Sequence, residues 1–120
     1  MIALIDYGAG NVRSVHKALE AAGAGAVGTG AVGTGAVGTA VIVTHDPEIV
    51  LIAEKVVLPG VGAFADCMRS LTRLVLVEPI RRVVASGTPF LGICVGMQVL
   101  FDYGEELGGS EGLGLLPGRV

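Results

Sequence analysis

The 120-residue sequence has no tryptophan, three phenylalanines and two tyrosines, although 52 % of it is hydrophobic. Its core must therefore be packed from aliphatic side chains. Charge is equally sparse: 16 % of residues are charged and the formal net charge is -3. There is no basic stripe to meet a phosphate backbone, which excludes nucleic acid as a partner. No apolar run reaches the roughly 20 residues that a membrane-spanning helix needs. The opening M-I-A-L-I-D-Y has no basic leader and meets Asp6 too early for a secretory signal. Two cysteines, Cys67 and Cys94, are too few for a disulfide framework. A soluble, cytoplasmic protein without a membrane or nucleic-acid partner is expected. Its length suits one small domain or part of a larger one, able to bury about two thirds of its unfolded surface.

Glycine, by contrast, is abundant, with 20 residues. Part of this is a repeat: G-A-V-G-T occurs unchanged at Gly25, Gly30 and Gly35. A period of five matches neither strand nor helix, and so much glycine makes ordering costly. Without residues 25–39, a helix would run into the next strand through a short link, as α/β units do. The repeat is expected to be an insertion without a function of its own.

Outside the repeat, pattern and punctuation alternate. Ile2 to Tyr7 reads as a buried strand ended by G-A-G-N. Val12, Val15, Leu19 and Ala22 share one helical face, with Asn11 as N-cap and Gly23 as stop. Ala40 to Thr44 reads as a second strand, His45 to Glu48 as a turn, Ile49 to Ala53 as a short helix, and Lys55 to Pro59 as a third strand. Phe64, Met68 and Leu71 mark a helix face. Pro79 sits in the first turn of a further helix that carries Ile80, Val83 and Val84 and stops at Gly87. Phe90 to Ile93 is a fourth strand, followed by a helix from Val95 to about Phe101. The remaining tail, from Glu105, reads mostly as loop with a possible strand start. This alternation predicts a parallel sheet with helices on its faces. Sites in such folds lie at the carboxyl ends of the strands, where three glycine-rich turns would converge.

The turn after the fourth strand, G-I-C-V-G, has the spacing of a nucleophile elbow with Cys94 at its apex. The apex residue is strained, and glycines two before and two after leave it room. At the start of a helix a thiol also meets the positive end of the dipole, which favours thiolate. The other possibility is a small buried thiol beside packing glycines. P-G-V-G, Pro59 to Gly62, could turn a backbone N–H of Val61 or Gly62 toward a cavity as an oxyanion hole, or be an ordinary strand-to-helix turn. G-A-G-N, Gly8 to Asn11, has the makings of an anion cradle at a helix N-terminus or of a tight turn and cap. Cys67 falls on a core helix face. His16 and His45 fit solvated surface positions, Asp6 can orient its loop, and Asp66 and Glu78 fit helix first turns.

D-Y-G-A-G-N, L-P-G-V-G-A-F and P-F-L-G-I-C-V-G-M-Q-V-L-F together resemble the triad-type, class I glutamine amidotransferases. More narrowly, with the closing G-L-G-L-L-P-G-R-V, they resemble the glutaminase subunit of imidazole glycerol phosphate synthase, of histidine biosynthesis. The resemblance covers nearly all of the chain outside the repeat. It implies an α/β, flavodoxin-like parallel sheet with helices on both faces. It implies Cys94 as the nucleophile that attacks the side-chain amide of glutamine. The oxyanion would be held by N–H groups of Val61 or Gly62 and of Val95. Gly60, Gly62 and Gln98 would bind the substrate. Ammonia would pass to a separate cyclase subunit, a (β/α)8 barrel, in a heterodimer. No metal or organic cofactor is implied.

The resemblance also implies a histidine base in an H-x-E pair on a C-terminal segment, and nothing in the sequence matches it. Neither His16 nor His45 stands in that context. The expectation is an incomplete sheet: residues 1–120 as the N-terminal part of one amidotransferase domain, cut short in its gene and inactive by itself. Two alternatives stand beside this. One is a catalytically inactive fragment acting as a binding or regulatory module. The other is a DJ-1-like thiol hydrolase, against which G-M-Q after the elbow speaks.

Overall fold

A computed structural model describes residues 1–23 and 40–120. The G-A-V-G-T repeat, and with it the expected insertion at 25–39, lies outside the described residues.

The centre of the fold is a four-stranded sheet built from β1 (Ile2–Ile5), β2 (Val41–Thr44), β3 (Lys55–Leu58) and β4 (Phe90–Gly92). All its pairings are parallel and the order is β2-β1-β3-β4, the flavodoxin-like order. Each residue of β1 is buried, because a central parallel strand is covered on both faces. This is why I-A-L-I is continuously apolar rather than alternating.

The two faces carry different helices. On one, Val12, Val15 and Leu19 of α1 (Val12–Ala21) pack on Ile2, Leu4 and Val57. On the other, Ala3, Ile5, Val56 and Leu58 meet Val50 of α2 (Pro47–Ile52), Leu71 of α3 (Phe64–Arg73), and Ile80 and Val83 of α4 (Val77–Ala85). The step from β1 to β2 runs opposite to the steps from β2 to β3 and from β3 to β4. Crossovers of one hand then place their helices on opposite faces, as observed. On the α1 face Val43 and Leu91 remain exposed.

Local chemistry accounts for the helix starts and stops. Asn11 Oδ1 accepts from the Ser14 N–H at 3.1 Å, and Gly23 follows the helix end at φ +100°, as expected of a cap and a glycine stop. The α2 helix starts at Pro47, earlier than the expected Ile49. Asp46 Oδ1 caps it, accepting from the Glu48 N–H at 2.9 Å, and proline occupies the first position. Asp66 and Glu78 lie in first turns and pair with Arg69 and Arg81 at 2.8 and 2.7 Å.

The tail departs most from the expectation. The helix after Cys94, α5 (Val95–Gln98), is a single turn, and Phe101 opens a strand instead of closing that helix. A second sheet, β6-β5-β7, is built from β5 (Phe101–Gly104), which begins where the helix was expected to end, and from β6 (Ser110–Glu111) and β7 (Leu116–Arg119), in the tail expected to be mostly loop with a possible strand start. Two close approaches seat this sheet. A Cβ added at Gly104 would lie 2.5 Å from the Phe64 ring, and one at Gly112 would lie 2.0 Å from the Phe101 carbonyl oxygen. Arg119 pairs with Glu105 at 2.9 Å and covers the Tyr103 ring.

Among the described residues no helix is long and apolar enough to cross a membrane. Leu71 is fully buried between α3 and the sheet. Leu71→Ala is expected to lower stability by about 2–5 kcal/mol through lost transfer energy and the cavity left behind. A urea titration followed by circular dichroism measures this, and an unchanged midpoint would place Leu71 outside the core.

Candidate active site

The carboxyl ends of β1, β3 and β4 bring the three glycine-rich turns together. A Cβ added at Gly10 would lie 3.1 Å from both the Gly60 nitrogen and the Pro59 Cβ, so the first and second turns touch. A Cβ on Gly60 would lie 2.4 Å from the Gly96 nitrogen, so the second touches the third. Backbone packs on backbone here, which only glycine permits.

Cys94 is the joint between β4 and α5, with φ 56° and ψ -123°. A residue with a Cβ rarely adopts this conformation, and it is the geometry expected of an elbow. The flanking glycines have a steric reason. A Cβ on Gly92 would lie 2.7 Å from the Met97 Cα, and one on Gly96 would lie 2.0 Å from the Leu58 carbonyl oxygen. The first would push the short helix off its strand; the second would drive it into β3. The Cys94 thiol is exposed. The alternative of a small buried thiol therefore describes Cys67, which is buried, and not Cys94. With α5 only four residues long, a full helix macrodipole does not back the elbow; one turn of N–H groups does.

The second and third turns carry unused donors. Among the described residues the backbone N–H groups of Gly60, Val61, Gly62 and Val95 donate to no protein acceptor. These are the donors the sequence singled out, with Gly60 added. Gly62 holds φ +90° with no atom within 4 Å of an added Cβ, so glycine is needed there for its backbone angle and not for space. Gln98, the last residue of α5, is half-buried, and its N–H donates to the Cys94 carbonyl at 3.1 Å.

Other singled-out residues lie apart from this chemistry. His16 pairs with Glu20 on α1 at 3.5 Å, and His45 is exposed in the turn after β2. Neither is hydrogen-bonded to Cys94. Asp6 Oδ1 accepts from the Gly8 N–H at 3.4 Å, a loop contact. Among the described residues no group of three or more His, Cys, Asp or Glu side chains could hold a metal. Sequence reasoning missed Tyr7. Its ring is buried and its hydroxyl donates to the Pro59 carbonyl, which ties the first turn to the second. The available signal was the residue type itself: a tyrosine ending a buried strand needs a partner for its hydroxyl.

Comparison with known proteins is consistent with this geometry. The family model described as glutamine amidotransferase class-I matches residues 3–110. The chain is similar to the protein named imidazole glycerol phosphate synthase subunit HisH from Geobacter metallireducens, with 54 % identity over 99 % of this chain and 50 % of that protein. The protein of the same name from Geobacter sulfurreducens is 53 % identical over 99 % of this chain and 50 % of its own length. That from Syntrophotalea carbinolica is 52 % identical over 100 % and 51 %. The chain spans about half the length of the curated relatives it matches.

Proposed function

The chain belongs to the class-I glutamine amidotransferase family, and we propose that it carries the nucleophile half of a glutaminase site: that of the glutaminase subunit of imidazole glycerol phosphate synthase, serving histidine biosynthesis. The observation that carries this is an exposed cysteine at φ 56° on an elbow whose next two residues, Val95 and Gly96, pack against Gly60 of the P-G-V-G turn. The Cys94 sulfur adds to the side-chain amide carbon of glutamine. The carbonyl oxygen becomes an alkoxide, which the N–H of Val61 or Gly62 and that of Val95 stabilise; one such donor is typically worth about 3 kcal/mol in an acyl-transfer barrier. The carbon–nitrogen bond then breaks, ammonia leaves with a proton, and water hydrolyses the thioester to glutamate and free thiol. Gly60, Gly62 and Gln98 bind the glutamine substrate in this reading. The ammonia is used by a cyclase subunit, bound as a heterodimer in the cytoplasm. The relatives' shared name supports that assignment, and no step calls for a metal or organic cofactor.

The test is covalent capture. A chloromethyl ketone analogue of glutamine, with CH2Cl in place of the amide NH2, adds through the same tetrahedral alkoxide and then loses chloride to give a thioether. One adduct on Cys94, slowed by added glutamine, is expected by peptide mass spectrometry. An adduct confined to Cys67, or none, would overturn the assignment.

Turnover is a separate matter, and one feature favours a second reading, inactivity of these 120 residues by themselves: neither His16, which pairs with Glu20, nor His45 is hydrogen-bonded to Cys94. A triad nucleophile without its base keeps only what binding and the oxyanion hole supply. With glutamine alone, ammonia above background is not expected from this chain, although the ketone labels it stoichiometrically. A coupled ammonia assay decides this, and turnover approaching about 1 per second would show that the chain contains its own base.

A further inference from the structure

Two buried donors lie beneath the second turn, and the chemistry above uses neither. The Tyr7 hydroxyl donates to the Pro59 carbonyl. The Cys67 thiol, on α3, donates to the Val61 carbonyl at 3.6 Å. Both side chains are essentially inaccessible, at 1 % and 0 % exposure. The two residues come from different elements and bind alternate carbonyls of one four-residue segment. Burial pushes both the Tyr7 hydroxyl and the Cys67 thiol above their ordinary pKa values, so each keeps the proton it donates.

We propose that Tyr7 and Cys67 are positioning residues that latch the Pro59–Gly62 segment from below and so aim its N–H groups for the oxyanion. This rests on the glutaminase assignment of the same site. A trans peptide is planar, with C=O and N–H pointing in opposite directions. Holding the Val61 carbonyl inward therefore turns the Gly62 N–H outward, and holding the Pro59 carbonyl fixes the peptide plane that leads into the segment at the buried Gly60. Gly62 lies on the exposed side, as does the Cys94 thiol. Gly60 and Gly62 are the residues of the segment whose backbones are least able to hold an orientation unaided, so the fixing must come from outside it. Neither donor touches the substrate; each acts through the peptide plane it holds.

The experiment uses the full chain and two reagents on one thiol. Iodoacetamide displaces iodide directly and reads only the exposure and ionisation of Cys94. The chloromethyl ketone passes through an alkoxide and reads the oxyanion donors as well. For Tyr7→Phe and Cys67→Ala, a fall of about tenfold in the ketone rate is expected, with the iodoacetamide rate within about twofold of the parent chain. Cys67→Ser retains a donor, and most of the ketone rate should return. The proposal is overturned if the ratio of the two rates is unchanged in all variants, if both rates fall together, or if serine and alanine at position 67 behave alike. A parent chain whose Cys94 shows no preference for the glutamine-shaped ketone removes the glutaminase assignment, and the proposal with it. A preference that survives every variant removes the proposal alone.

Discussion

Replacing Cys94 with glycine should abolish the chloromethyl ketone adduct and, in the same chain, raise the unfolding temperature. The loss of labelling should be complete, because Cys67, the other cysteine, is buried. The gain in stability has a backbone origin. Cys94 is held at φ 56° and ψ -123°, at a cost of about 1–3 kcal/mol for a residue with a Cβ. Glycine adopts it without that cost, and loses about 0.5–1 kcal/mol through its greater freedom when unfolded. An exposed thiol gives up little packing when removed. The balance is about 1 kcal/mol in favour of the variant, or several degrees for a domain of this size. Thermal unfolding followed by circular dichroism, with peptide mass spectrometry on the same sample, measures both. A variant less stable than its parent would mean that the elbow stores no strain. An adduct formed at the parent rate would take the nucleophile away from Cys94.

Two residues further on, the sign reverses. Gly96→Ala should destabilise the fold by about 4 kcal/mol or more, among the largest single-site effects. The added Cβ would lie 2.0 Å from the Leu58 carbonyl oxygen and 2.8 Å from its carbon. Both are backbone atoms of β3, so no side chain can move aside. Relief requires displacing α5 or parting β3 from β4. Total stabilities of about 5–15 kcal/mol leave little after such a loss, and a broad or absent urea transition is expected. Gly62→Ala is the comparison. It meets no atom within 4 Å and carries only the left-handed backbone cost of about 1–2 kcal/mol. If the two variants were equally stable, the contact between β3 and the elbow would be looser than the structure shows.

Much of the fold was legible because its signals are local. The alternation of short aliphatic runs with helical periods predicted a parallel sheet. Asn11, Gly23, Pro79 and Gly87 punctuated helices where the structure places their ends and first turns. The start of α2 was misplaced because Asp46 and Pro47 read as a turn, when together they make a cap and a first helical residue. The tail was misread for a different reason. Its strands are two to four residues long, and they are held by pairings across the chain and by glycine contacts to the Phe64 ring and Phe101 backbone. None of that has a local period. The long helix expected after Cys94 failed similarly: Val95 and Val99 have helical spacing, but Phe101 is taken by the second sheet.

At the site, residue type and spacing singled out Cys94 and the P-G-V-G turn but left each with a second reading, a buried thiol and an ordinary strand-to-helix turn; the N–H of Val95 and the roles of Gly60 and Gln98 came only from the resemblance to the amidotransferases. The sequence by itself also determined the layered α/β architecture, because strand and helix periods are written into each segment's side chains. Only the tertiary structure decided that the three turns touch through Gly10, Gly60 and Gly96. It also separated the exposed Cys94 from the buried Cys67, and it set Tyr7 and Cys67 beneath the same four residues. Those facts depend on which backbones meet, and contacts between residues 52 positions apart, such as Tyr7 and Pro59, leave no periodic trace along the chain.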